Sequence, residues 1–229
     1  MTGSGRRSFL LGLGAAATGL LVRRGVSYAQ DASAIAPANA AERLMSEHGV
    51  VQRLMICFDE AAGKLETDAP VPASAVLGAG AIVDEFVEAY HEELEEQHIF
   101  KALDGQEDLA PLILTLRRQH AAGRTLAGRI IEISGEGALI ETGRRRALAA
   151  FCSQYARMYR AHAAYEDTVL VPGLRSLLGP DAFADLNGQV REFARATLGT
   201  SGLDDVLGRV NAVQQELGIG RLEDFTATT

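Results

Sequence analysis

Apolar residues recur at helical spacing along four stretches of this chain, near residues 40 to 63, 80 to 103, 111 to 133 and 144 to 171. The fourth carries the clearest stripe: Leu148, Cys152, Tyr155, Tyr159, His162, Glu166 and Val169 follow one another at steps of four and three, as on a helix face turned toward a core. Leu44, His48, Val51, Met55 and Phe58 do the same in the first stretch, and Ile113, Leu116, His120, Ala127 and Ile130 in the third. Each stretch is long enough for a bundle helix. Gly and Pro punctuate the gaps, in KLETDAPVPAS, DGQEDLAP, SGEGALIETG and PGLRSLLGP. No strand-like alternation of useful length interrupts the pattern. Short connections favour antiparallel neighbours, so the predicted fold is all-α: an antiparallel up-down-up-down four-helix bundle over residues 40 to 175. Two shorter amphipathic stretches, 181 to 197 and 203 to 217, predict additional C-terminal helices in an extension over residues 176 to 229.

The start of the chain reads differently. Arg6 and Arg7 precede an apolar run from Phe9 to Val22, and Ser27-Tyr28-Ala29 supplies a small-x-small cleavage site, so residues 1 to 29 are predicted to be an export signal and residues 30 to 39 a small-residue linker. RRSFLLG resembles the twin-arginine signal. That resemblance implies the twin-arginine export machinery as a partner, a periplasmic or otherwise exported location, and a protein already folded around a cofactor. The run is short for a membrane span, and no stable membrane insertion is expected after cleavage. The segment's four arginines are its only charges, and removing them takes the net charge from −8 to −12. A protein that acidic repels a phosphate backbone, which argues against nucleic acid as a partner.

Polar residues stand where a plain bundle would place Leu. All five histidines lie in the four stretches: His48, His91 and His98, His120, and His162. His91-xxx-Glu95 and His162-xxx-Glu166 each return an imidazole and a carboxylate to one helix face. In an up-down-up-down bundle His48, His91, His120 and His162 fall in one layer, roughly 12 to 18 Å from the same end at 1.5 Å per residue. Scattered core histidines have no reason to share a height. Neutral imidazoles suit borderline metals, and carboxylates add charge compensation and can bridge two cations in a bundle core. Without a cation, Glu95 and Glu166 would be costly to bury in ionised form.

Four segments, LMSEHGVVQRLM, YHEELEEQHIFKAL, RRQHAAGRTLAGRI and YRAHAAYEDTVLVPGL, resemble the hemerythrin-like HHE cation-binding family from about residue 40 to 175. The resemblance implies a non-haem metal centre, two irons per chain, held by His48, His91, Glu95, His120, His162 and Glu166. In some relatives the fourth-helix carboxylate lies five residues after the histidine, which leaves Asp167 as an alternative to Glu166; the apolar stripe favours Glu166. Oxygen-carrying hemerythrins have a second histidine one turn from the first on the third helix, where this chain has Leu116 and Arg124. The centre therefore lacks one nitrogen ligand and leaves room for exogenous ligands or redox turnover.

Other residues receive plainer expectations. His98 could be a fifth nitrogen ligand or a group beside the metal, with a partly buried non-ligand as the favoured reading, and Tyr159 is a candidate for a group beside the metal, with aromatic packing as the favoured role. Glu92, Glu93 and Glu96 are expected to face solvent, as is the Arg144-Arg146 run. Cys57 and Cys152 reach similar heights but point in different directions, which disfavours a disulfide. Three function classes follow: a module that binds or senses oxygen, nitric oxide or iron; a di-iron enzyme consuming peroxide or nitric oxide; and a structural bundle holding zinc or no metal. A small diatomic molecule or peroxide is the expected ligand in the first two.

Overall fold

The structure, a computed structural model, describes residues 39–135, 139, 141–200 and 202–227. The predicted export signal and nearly all of the linker lie outside them. Among the described residues there are six principal helices and no strand. Helix α1 spans Ala40–Glu66 and begins at Asn39, whose side-chain oxygen accepts the Glu42 backbone N–H at 3.1 Å while its amide donates to the Glu42 carboxylate at 2.9 Å. Helix α2 runs through residues 73 to 102. It is α-wound over Ala73–Ile82, π-wound over Val83–Glu92 and Glu95–Ile99, and closes with Phe100–Ala102. Helix α3 is Ala110–Ile133. Helix α4 combines Thr142–Tyr165, a π-wound turn Glu166–Leu170, and Val171–Leu177. Helices α5, Pro180–Leu198, and α6, Leu203–Leu217, complete the set.

Helices α1 to α4 close a ring in which α1 packs on α2 and α4, and α3 packs on α2 and α4. That is the predicted up-down-up-down bundle. Its core is the predicted stripes: Leu44, Val51, Met55 and Phe58 from α1, Leu116, Ala127 and Ile130 from α3, and Leu148, Cys152, Tyr155 and Tyr159 from α4 are all buried, with Ile113 half-buried at the end of its stripe. The two C-terminal helices lie against α1 and α2. Arg53 of α1 donates to Asn211 and Gln214 of α6, the Ala40 N–H donates to Asn187 of α5 at 2.9 Å, and Phe193 of α5 stacks on Tyr90 of α2.

Four local expectations are corrected. Helix α2 begins at Ala73, well before residue 80, because its small residues let neighbours approach closely: a Cβ on Gly80 would lie 2.7 Å from Ile131 of α3, and one on Gly78 3.2 Å from Val213 of α6. The PGLRSLLGP segment does not break the chain at its start, since Pro172 falls in the first turn of Val171–Leu177, where a missing N–H is tolerated. Val169, predicted to face inward, is 40% exposed. The wider π turn at Glu166–Leu170 rotates each residue through less than the α-helical 100°, so the inward position passes to Leu170. Arg145 is not solvated like Arg144 and Arg146. Its guanidinium donates to the carbonyls of Leu139 at 3.0 Å and Ala69 at 2.9 Å, tying the connection before α4 to the one before α2. Cys57 and Cys152 are both buried and free, and burial pushes each thiol up to about 12.

Two glycines of α3 give opposite expectations. A Cβ on Gly123 would lie 2.8 Å from the ring and hydroxyl of Tyr159, which is stacked on Tyr155 and cannot easily yield, whereas a Cβ on exposed Gly128 would meet nothing within 4 Å. Replacing a helical glycine by alanine contributes about 1 kcal/mol of helix propensity, while forcing a methyl group into a packed contact costs about 1–3 kcal/mol. Gly128→Ala should therefore raise the denaturation midpoint and Gly123→Ala should lower it, as read by urea unfolding.

Candidate metal centre

Helices α1 to α4 each bring one histidine to the same level of the core. His48, His91, His120 and His162 are buried, with Glu95 of α2 and Glu166 of α4 between them, both fully enclosed. The six side chains form two donor groups, His48, His91, Glu95 and Glu166 on one side and Glu95, His120, His162 and Glu166 on the other, with the donor atoms of each group all within 4.8 Å of one another. Both carboxylates belong to both groups. Glu95 turns Oε1 toward His91 Nε2 at 3.3 Å and His48 Nε2 at 3.7 Å, and Oε2 toward His120 Nε2 at 3.2 Å. Glu166 Oε2 lies 3.1 Å from His48 Nε2 and 3.2 Å from His162 Nε2. The Nε2 atoms of His120 and His162 are themselves 3.2 Å apart.

The outer nitrogen of every imidazole meets an oxygen. Nδ1 of His48 lies 2.7 Å from Asp167, that of His91 2.9 Å from Glu47, that of His120 2.9 Å from Glu96, and that of His162 3.1 Å from the Gln119 amide oxygen. An acceptor at Nδ1 places the proton there and points the Nε2 lone pair inward, the tautomer and orientation a metal-ligating histidine needs. Four such lone pairs and two carboxylates converge, and among the described residues nothing donates to those carboxylates by a hydrogen bond. His48 Nε2 and all four oxygens of Glu95 and Glu166 are buried without a hydrogen-bond partner among the described residues. Groups of this kind stay buried only if cations or protons stand among them, and the imidazole-carboxylate set fits a borderline divalent metal.

Electrostatics agree. Burial by itself disfavours an imidazolium, yet the hydrogen bond to Asp167 and the nearby carboxylates of Glu166 and Glu95 raise His48 well above its ordinary 6.5. Glu95 and Glu47 overcome burial to raise His91, and Glu95 with its neighbours brings His120 to about 9. Burial favours the neutral form of Glu95, but the surrounding histidines hold its carboxyl well below the usual range. Without a metal, His48, His91 and His120 thus draw positive charge into the site.

Asp167, the alternative to Glu166, sits outside the donor groups, part-exposed and hydrogen-bonded to the back of His48; Glu166 occupies the interior. His98 lies apart from both groups, half-buried, with Nδ1 3.3 Å from Gln189 of α5 and its ring edge-on to Phe193. Tyr159 tilts against His162, ring centroids 5.3 Å apart, and its hydroxyl donates to Glu92. Here the expectation of a solvated acidic run is overturned for two of its three members. Glu92 is buried and paired with Arg124, and Glu96 is part-buried, accepting from Arg117 at 2.7 Å while it anchors His120; Glu93 is exposed. The π-wound segment is the cause, because its smaller rotation per residue keeps Tyr90, His91 and Glu92 together on the inward side.

Glu47 was not anticipated. It is fully buried, takes hydrogen bonds from Arg43 and Tyr90, and supports His91. A signal was available: Leu44, Glu47, Val51, Leu54 and Phe58 keep steps of three and four, so Glu47 lies on the same broad apolar arc as His48. Gln119 carried none, being one ordinary polar residue on a mostly exposed face.

Comparison with known proteins places this geometry. The chain is similar to three uncharacterized proteins: Mb2018 of Mycobacterium bovis, and MT2051 and Rv1995 of two Mycobacterium tuberculosis strains. Each is 34% identical over 190 residues, covering 83% of this chain and 74% of the relative. No solved structure matches it significantly. The hemerythrin HHE cation binding domain matches residues 39–174, the bundle that carries all six inward donors. The chain therefore belongs to the hemerythrin HHE cation-binding family.

Proposed function

We propose that the bundle holds two non-haem irons side by side and uses them to bind or sense a small ligand, oxygen or nitric oxide, or to take up iron itself, outside the cytoplasm. The observation that carries this reading is the membership of Glu95 and Glu166 in both donor groups. One cation would leave half the donors idle, whereas two would employ each imidazole once, with Glu95 having one oxygen turned to either side to hold them. Iron is the metal implied by the hemerythrin likeness, and when bound it supplies one-electron and oxygen chemistry.

The protein's own part is to hold the donors and exclude water. Asp167, Glu47, Glu96 and Gln119 fix the ring orientations, and the apolar layers on either side limit access. Leu116 is buried as a hydrocarbon, and Arg124 turns to Glu92 and Glu96, so neither adds a nitrogen donor. Six side chains, two of them shared, leave coordination positions for an exogenous ligand. That shortage favours the second reading, a redox enzyme that consumes peroxide or nitric oxide; sustained loss of either, where simple binding would give stoichiometric uptake, distinguishes the two.

Metal analysis with visible spectroscopy of native protein tests the proposal. Two irons per chain with the absorption of a coupled pair are expected; zinc, or no metal, in native material overturns it. Because the carboxylates are shared, Glu95→Ala and Glu166→Ala should each lose both irons, whereas His48→Ala or His162→Ala should retain more metal than either.

Protons and metal compete for the same nitrogens, which gives a pH dependence. His120 is raised from 6.5 to about 9 in the folded, metal-free protein, so its contribution to stability is complete below pH 6.5 and is lost as pH rises through 9. Metal binding requires the neutral imidazole and strengthens over the same range. The difference in Tm between iron-loaded and chelator-treated protein should widen from pH 6.5 to 9, as measured by calorimetry; a constant difference would show that these imidazoles are not the ligands.

Export by the twin-arginine route is the location we propose, resting on RRSFLLG at Arg6 and Arg7. Fractionation should find the protein outside the cytoplasm, and Arg6→Lys with Arg7→Lys should retain it inside.

A further inference from the structure

The stripe of α4 carries two tyrosines where a bundle would be served by leucine, and their surroundings are not those of simple filler. Tyr159 is buried against His162, and its phenol donates to the buried carboxylate of Glu92. Glu92 is paired in turn with Arg124, whose side chain is 43% exposed, so the chain of polar groups from Tyr159 ends at solvent. Tyr155 stacks on the far side of Tyr159, centroids 4.6 Å apart and planes 20° from parallel, and meets Phe58 edge-on. No carboxylate accepts from the Tyr155 hydroxyl among the described residues. The seat for Tyr159 exists because position 123 on α3 is glycine; a Cβ there would collide with the phenol.

A phenol gives up an electron readily only if its proton can leave at the same time, and a carboxylate already accepting its hydrogen bond is the partner that permits this. Of the two stacked rings only Tyr159 has one, and it is the ring in contact with the centre. We infer that Tyr159 is a redox-active residue, oxidised by one electron when the iron-loaded protein meets hydrogen peroxide, with its proton passing to Glu92. The inference rests on the iron reading above. Peroxide takes two electrons and two protons from solvent to give two molecules of water. One electron comes from Tyr159, whose O–H bond breaks to leave a phenoxyl radical and a protonated Glu92, and the other from a ferrous ion that becomes ferric. Burial shields the radical from solvent, and the stacked Tyr155 lets the unpaired electron be shared or passed away from the metal ligands.

The test is electron paramagnetic resonance of protein loaded with ferrous iron, mixed with hydrogen peroxide and rapidly frozen, with iron content measured on the same samples. The expected result is a tyrosyl signal, identified by its narrowing in protein made with ring-deuterated tyrosine. It should be lost in Tyr159→Phe and in Glu92→Gln, which keeps the shape of the acceptor but cannot take the proton, and retained in Tyr155→Phe. Iron content equal to wild type in Tyr159→Phe shows that the loss is not a failure to fold or to bind metal. Iron-loaded wild type without a tyrosyl signal, or a signal that survives Tyr159→Phe, overturns the inference and leaves the di-iron reading standing. Wild type that takes up no iron overturns both.

Discussion

Two carboxylates enclosed with four imidazoles in the middle of a helical bundle set the terms for everything around them. Ionised Glu95 and Glu166 in the buried core are tolerable only beside positive charge, and among the described residues no Lys or Arg pairs with them. The counter-charge must be protons on the histidines or metal ions between them. Each of the four core helices contributes at least one of these donors, so the centre is also the point where the bundle's helices are held in register.

Around the donors lies a ring of polar groups whose exposure increases outward. Glu47 is buried and tied to Arg43 and Tyr90. Glu96 is shared by His120, Arg117 and Arg124. Asp167 reaches the surface directly. This gradation lets the innermost oxygens remain unpartnered while the negative charge of the anchoring carboxylates is met by arginines or water. An anchor lost from this ring would free an imidazole to rotate, which is why such partners matter to a metal site almost as much as the ligands.

The winding of the helices is the second device. Both carboxylate donors open a π-wound segment, Glu95 that of Glu95–Ile99 and Glu166 that of Glu166–Leu170, and His91 lies within another. A regular α-helix would carry adjacent residues about 100° apart, whereas the wider turn keeps consecutive side chains on one side of the axis. The same winding buries Glu92 beneath Tyr159 and turns Val169 outward, so one departure from regular geometry accounts both for the density of polar groups at the centre and for two of the residues that lie away from their expected faces.

The four-helix bundle, its two C-terminal helices and the six inward donors were legible in the order of residues alone, because apolar spacing at three and four residues and a shared height of four histidines are one-dimensional facts. His91-xxx-Glu95 and His162-xxx-Glu166 could be read as pairs for the same reason: an α-helical turn brings them together whatever the rest of the fold does. What faces the backs of the imidazoles could not be read in that way. Glu47, Glu96, Asp167 and Gln119 reach a histidine of a neighbouring helix, and such contacts depend on helix rotation and on winding that leaves no periodic trace. Spacing singled out Glu95 of the Glu92 to Glu96 run but could not show that Glu92 also turns inward, since that was decided by π-helical geometry and by the Arg124 and Tyr159 side chains that only the assembled bundle brings to Glu92.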